Sequence, residues 1–291
     1  MERIDFRDQI SSNKLKSFFL IFIVLMFIVA LGYVISFAFS PVYFSFIMII
    51  AIIFSIFYIM IGYYNSHKIA IASVGAKPAS REKHKMFYDL VEGLTLASGL
   101  PMPKLYVMPS QQINAFASGR NPKKAVICVT EGALNKLDRK ELEGVLAHEL
   151  GHVGNYDIRY MTLVAVLVGM IAIISQIFLR SLWFSNGEGN KKNAIFIIIG
   201  IALAILAPIV VWLVQMSISR KREYSADATA VKFTRYPDGL IKALEKIKHE
   251  HTPPEKKVNK AVAPLFFSNP FKNLGSTHPP IEKRIEALRR M

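Results

Sequence analysis

No charged residue occurs between Ser17 and Ser66. The hydrocarbon core of a bilayer, about 30 Å thick, is crossed by roughly 20 apolar residues in helix, so this stretch is long enough for two crossings. Ser40-Pro41 offers the break between them, because proline ends or kinks a helix, and the spans fall near 18–39 and 42–62 with a tight turn between. Two more uncharged runs read as a third and a fourth span. One covers 160–179, between Arg159 and Arg180; the other covers 194–216, where Pro208 predicts a kink that a membrane helix tolerates. No small-residue cleavage site follows the first run, which therefore reads as a retained span and not a removed signal peptide.

The flanks set an orientation. Arg3, Arg7, Lys14 and Lys16 precede the first span and Lys68 and Lys77 follow the second, whereas the turn between them has no Lys or Arg. By the positive-inside rule the termini and soluble parts face the cytoplasm of a multi-pass protein in the cell (plasma) membrane. Arg180, Lys191 and Lys192 pull the other way but are outweighed near Arg220-Lys221-Arg222. A net charge of +15 is then a property of membrane flanks, and no nucleic-acid partner is expected. With 52% hydrophobic and 20% charged residues, disorder, a collagen-like chain and a disulfide scaffold are excluded. The single cysteine, Cys128, has no internal partner and sits in the apolar stretch Ala125–Thr130, where a buried inert thiol is expected.

Four segments follow: 1–66 with the first two spans, soluble 67–159, 160–219 with the last two spans and their loop, and soluble 220–291. The two soluble pieces are long enough to build one α+β domain with a small β-sheet. The fold class expected is a mainly α membrane protein with four transmembrane helices carrying that domain. In the first piece, residues 81–98 carry Phe87, Leu90, Val91, Leu94 and Leu96 at a mostly helical spacing, ended by Gly99 and Pro101. Leu105–Met108 and Ala125–Thr130 read as strands, and Asp138-Arg-Lys-Glu141 as a capping box that opens a helix running to about Val153. The second piece reads as helices over 220–235, 238–249 and 280–290.

The chemistry is carried by His148-Glu149-Leu150-Gly151-His152. Residues four apart on a helix are rotated by about 400°, so both imidazoles share one face, one turn apart. Two neutral nitrogens can then reach one metal ion at about 2.0–2.1 Å. Glu149 is rotated by about 100° from His148 and can flank the ion as a general base without ligating it. Gly151, costly inside a helix, is explained by close approach of another backbone or of substrate. A hydrolytic site needs a third protein ligand. Glu223 and Asp227, again four apart, offer a ligand and a carboxylate to hold the outer nitrogen of a ligating histidine; the same two acids could instead only neutralise Arg220–Arg222. Asn155 and Asp157 are expected to end the first helix and pack against it; a hydrogen bond from Asp157 within the site is the alternative.

Together, His148-Glu-Leu-Gly-His152, Glu223-Tyr-Ser-Ala-Asp227, Asn114-Ala-Phe-Ala117 and Ser276-Thr-His-Pro-Pro280 resemble the HtpX family of membrane zinc metalloproteases, and more distantly the CAAX prenyl proteases. The order of the motifs and the positions of the four spans match as well. The resemblance implies a zincin-like catalytic domain in which one Zn2+ is bound by His148, His152 and Glu223, with Glu149 as base and Asp227 behind a ligand. It also implies a cleft bordered by Asn114, Ala115, Phe116 and Ala117, whose strand edge pairs with an extended polypeptide; an ordinary core strand is the alternative. His278 could donate to the oxyanion, or the prolines and Arg284 could only start and pin the last helix. The expected function is zinc-dependent endoproteolysis of misfolded or damaged membrane proteins on the cytoplasmic side, a quality-control and stress-response role, in contact with lipid and with other membrane proteases. The alternatives are a CAAX-type protease, which would need more spans, and a catalytically silent scaffold.

Overall fold

The computed structural model describes residues 6–36, 41–164, 220–250, 265–267 and 279–291. Residues 165–179 of the expected third span, all of the fourth, and His278 lie outside the described residues. Helix α1 (Phe6–Ser36) is followed by a 3-10 turn, Pro41–Tyr43, and by α2 (Phe44–Ser73), against which it packs. Among the described residues α2 is the one helix long and apolar enough to cross a membrane, with a mean hydropathy of 2.8. Only 11% of its most apolar stretch is buried, and Phe46, Ile53, Phe54 and Phe57 point outward. The core helix of a soluble protein would bury these side chains, whereas a helix in lipid need not. On α1 the inward stripe is Asn13, Ser17, Leu20 and Val24, spaced by three and four residues. Its apolar members meet Tyr58 of α2 and Tyr160, Leu163 and Val164.

Beyond α2 come β1 (Lys77–Pro78), α3 (Lys85–Ser98), β2 (Lys104–Met108), β3 (Ala115–Ser118), β4 (Val126–Thr130), α4 (Glu131–Lys136) and α5 (Arg139–Gly154). Residues 157–164 form α6; α7 (Arg220–Thr234), α8 (Pro237–Lys248) and α9 (Ile281–Leu288) follow. The sheet order is β1-β2-β4-β3, with β2 and β4 parallel and the outer pairs antiparallel. β3 is thus an edge strand, in a register that sets Phe116 opposite Cys128. It begins at Ala115, one residue later than the Asn114 start expected: the Asn114 amide donates to the Thr130 side-chain Oγ1 at 3.0 Å, and Asn114 Oδ1 accepts from the Ala115 amide at 3.0 Å. β1 and α4 carry no sequence signal of their own, the first for its two residues, the second because its cap, Thr130, is also the end of β4.

Helix α5 is the axis of the domain. Asp138 Oδ1 accepts from the amides of Lys140 and Glu141, while Glu141 Oε2 accepts from the Asp138 amide, the reciprocal cap expected, worth about 1 kcal/mol. Leu142, Leu146 and Leu150 are buried with Phe87 of α3, Leu240 and Leu244 of α8 and Leu288 of α9, so described residues of both segments, 67–159 and 220–291, contribute to one core. Two glycines permit this packing. A Cβ on Gly144 would stand 2.6 Å from the Leu240 amide nitrogen, and one on Gly151 would stand 3.2 Å from both the Ala226 carbonyl oxygen and Thr229 Cβ. Gly151 therefore answers the expectation of close backbone approach: α7 lies against α5 at the histidines.

Candidate metal centre

His148, Glu149 and His152 are buried on α5, and Glu223 and Asp227, one turn apart on α7, face them. His148 Nε2 and His152 Nε2 are 3.1 Å apart, and Glu223 Oε2 and Oε1 lie 3.7 and 3.6 Å from them. Bonds of about 2.05 Å at a tetrahedral angle would set ligand atoms about 3.3 Å apart, so the three groups already stand near the spacing that one cation demands. Behind each imidazole is a carboxylate. His148 Nδ1 donates to Asp227 Oδ1 at 2.8 Å and His152 Nδ1 to Asp157 Oδ2 at 3.0 Å, which fixes the tautomer that turns both Nε2 lone pairs inward. Two such lone pairs facing each other need a proton or a cation between them. A divalent metal also suits the charge, because the carboxylates of Glu149, Glu223 and Asp227 are buried here with the guanidinium of Arg284, and that of Asp157 is buried behind His152.

Arg284, on α9, is 1% exposed. Its Nε and Nη2 donate to Asp227 Oδ2 and Oδ1 at 2.9 and 2.6 Å, and Nη1 is 3.6 Å from Glu223 Oε2. The Nη2 approach to His148 Nδ1 at 3.3 Å is contact only, since that nitrogen's proton already goes to Asp227. Burial would raise the Asp227 pKa, but Arg284 and the His148 hydrogen bond hold it below the usual carboxylate range. Burial takes the His148 pKa down to about 4 despite Asp227, so this imidazole is neutral at pH 7. At His152 burial also pulls downward, but Asp157 and Glu223 outweigh it and the pKa is about 9; a metal arriving there displaces that proton. Glu149 is raised to about 7, chiefly by burial, with His152 and the Ala117 amide, which donates to it, acting in the opposite sense. A carboxyl poised at that value suits a proton carrier.

The outer edge of β3 is engaged as well. The Ala115 carbonyl accepts from the Phe267 amide at 2.8 Å, while the Phe267 ring stands edge-on to His148 at 4.8 Å and under the Arg284 guanidinium at 4.7 Å. Cys128 is buried, its thiol pKa pushed well up, and takes no part.

The sequence model of peptidase family M48 matches residues 82–291, a stretch holding all of these groups. The chain belongs to peptidase family M48. It is 41% identical to the Protease HtpX homolog of Dictyoglomus thermophilum over 100% of this chain and 96% of that protein. The Protease HtpX homolog of Caldanaerobacter subterraneus subsp. tengcongensis is 47% identical over 81% of this chain and 82% of its own length, and that of Listeria monocytogenes 39% identical over 98% and 99%. Among solved structures, Ste24p of S. mikatae is matched over 97% of this chain and 66% of its own, at 20% identity and a TM-score of 0.47. As a member of M48 the chain is a metallopeptidase, and the catalytically silent scaffold is set aside.

Within this M48 peptidase the structure brings together His148, Glu149, His152, Glu223 and Asp227, with Ala117 on Glu149 and Phe116 packed on Phe266 at 5.2 Å. His278 lies outside the described residues. Arg284 is not only a helix pin; it completes the group around Asp227. Asp157 accepts from His152 Nδ1, the hydrogen bond within the site that is one of its two expected roles. Phe267 had no sequence signal, since an apolar residue between charged stretches reads as ordinary packing.

Proposed function

We propose that this peptidase is a zinc endopeptidase in which His148, His152 and Glu223 hold the metal and Glu149 moves the proton. The observation carrying this reading is the 3.1 Å convergence of two imidazole nitrogens, each fixed from behind by a buried carboxylate. The nitrogen, nitrogen and oxygen donor set is that of hydrolytic zinc sites. Zinc, when bound, would supply a Lewis acid for the scissile carbonyl and lower the pKa of the attacking water to about 7. Glu149 takes that water's proton as the carbon–oxygen bond forms and returns it to the amine nitrogen as the carbon–nitrogen bond breaks. Asp227 and Asp157 keep the imidazoles in one tautomer, and Arg284 keeps Asp227 ionised.

The substrate is an extended polypeptide along β3, with Asn114, Ala115, Phe116 and Ala117 bordering the cleft. Because the Ala115 carbonyl is held by the Phe267 amide, strand pairing at that position would exchange this bond for one to substrate. The domain faces the cytoplasm of a multi-pass membrane protein with four spans, at 18–39, 42–62, 160–179 and 194–216, and its soluble parts, 67–159 and 220–291, act on loops of misfolded membrane proteins near the bilayer, alongside other membrane proteases. His278 is the proposed oxyanion donor by family resemblance.

The test uses full-length protein in detergent and an unstructured membrane-tethered substrate. Cleavage stops with a chelator, returns with added zinc, and is absent in Glu149→Gln, which still binds about one zinc per chain. Cleavage that survives complete metal removal refutes the proposal.

A further inference from the structure

We propose that Asn13, on the first membrane-proximal helix, is a positioning residue of the metal centre, acting on His152 through Asp157; this rests on His152 being a ligand. Asn13 is 2% exposed and heads the α1 stripe whose deeper members, Leu20 and Val24, pack in an apolar cluster. An amide in that row is costly unless both its protons find acceptors. They do: Nδ2 donates to Asp157 Oδ1 at 2.6 Å and to the Asn155 carbonyl at 3.2 Å. Asp157 Oδ2, the other oxygen of the same carboxylate, accepts from His152 Nδ1.

The turn between these two contacts gives the bond its purpose. Tyr156 has φ +59, the left-handed region that a non-glycine residue enters only when its surroundings hold it there. Asn13 grips the residues on either side of Tyr156, and Lys14 Nζ lies 5.0 Å from the Tyr156 ring, so adjacent residues of α1 clamp one turn. That turn decides where Asp157 stands relative to α5, and hence the orientation of the His152 ring. A neutral amide suits the position: a lysine there would compete with His152 for Asp157, and an aspartate would repel it.

The experiment uses the full-length protein in detergent and reads zinc affinity by chelator competition, the absorption spectrum of the cobalt-substituted protein, and thermal unfolding of the metal-free protein. Asn13→Leu suits the apolar stripe and should fold. Loss of the ligand's own partner, Asp157, would cost about 10–100-fold in zinc affinity; Asn13, one bond farther out, is expected to cost about tenfold, the lower end of that range. The cobalt spectrum of Asn13→Leu should change, and kcat should fall with KM unaltered. Asn13→Gln, which keeps both protons one methylene farther out, recovers part of the loss. Ser17→Ala, one turn along the same buried face, leaves affinity unchanged. Zinc affinity within about twofold of the parent in Asn13→Leu, or a fall in metal-free thermal stability with unchanged affinity and spectrum, overturns the inference. His152→Ala separates this from the site itself: if that variant still binds zinc like the parent, the metal assignment is what fails.

Discussion

Replacing Arg284 by methionine removes the cation that neutralises Asp227 while filling most of the same space. Two hydrogen bonds of 2.9 and 2.6 Å are lost, and Asp227, fully buried, keeps His148 Nδ1 as its partner among the described residues. Removing one member of a buried ion pair costs about 3–5 kcal/mol, because the other charge stays out of water uncompensated. At about 2–4 °C per kcal/mol for domains of roughly this size, the unfolding temperature of the metal-free protein should fall by about 6–20 °C. The pH dependence has a fixed sign. Asp227 has a depressed pKa in the folded protein, so its contribution is present above the ordinary carboxylate value and is lost as pH falls through the folded one. The deficit of Arg284→Met is therefore full at neutral pH and shrinks in acid. Adding Asp227→Asn removes the stranded charge and should restore much of the stability without restoring cleavage, because a neutral amide cannot fix His148 as the carboxylate does. Thermal unfolding of the parent, the single and the double variant at two pH values decides it. A single variant within about 1 kcal/mol of the parent, or a double variant no more stable than the single, refutes an electrostatic role for Arg284.

Two further substitutions probe the buried Glu149 carboxyl and the close packing of α8 on α5. Glu149→Gln should be more stable than the parent in chelator-treated protein at about pH 8, and nearly equal to it at about pH 4.5. A pKa raised to about 7 by burial gives stability that is full below the ordinary value and lost as pH rises through the folded one, and glutamine does not titrate; equal unfolding temperatures at the higher pH would contradict the buried setting of this carboxyl. Gly144→Ala should destabilise by about 1–3 kcal/mol despite the roughly 1 kcal/mol gain in helix propensity, because its Cβ would meet backbone of α8 at 2.6 and 2.8 Å. A stabilised variant would show that α8 does not pack so closely on α5.

Local rules made the centre of the domain legible. The reciprocal cap at Asp138 and Glu141, the four-residue spacings of His148 and His152 and of Glu223 and Asp227, and the stop at Gly99, found at φ +69, all depend on neighbours within a turn or two. What closes the site does not. Arg284 reaches Asp227 across 57 positions and Asn13 reaches Asp157 across 144, and neither residue differs in local pattern from a solvated surface residue. Phe267 touches the centre through its own amide and ring, features every phenylalanine has. Asp157 was legible only as an alternative, because its role depends on the Tyr156 turn that brings it back under His152.

The two imidazoles are held from opposite ends of the chain. His148 answers to Asp227 on α7 and, behind it, Arg284 on α9; His152 answers to Asp157 on α6 and, behind it, Asn13 on α1. Each carboxylate serves its own histidine, so each imidazole reports on a different packing event. Docking of the C-terminal helices orients one nitrogen, and docking of the first helix orients the other. A cation that needs both nitrogens at about 2 Å therefore binds well only when both events have occurred. Metal affinity should then fall by comparable factors when either layer is disturbed, and the two losses should combine non-additively, since a ligand pair already missing one member has little left to lose from the other.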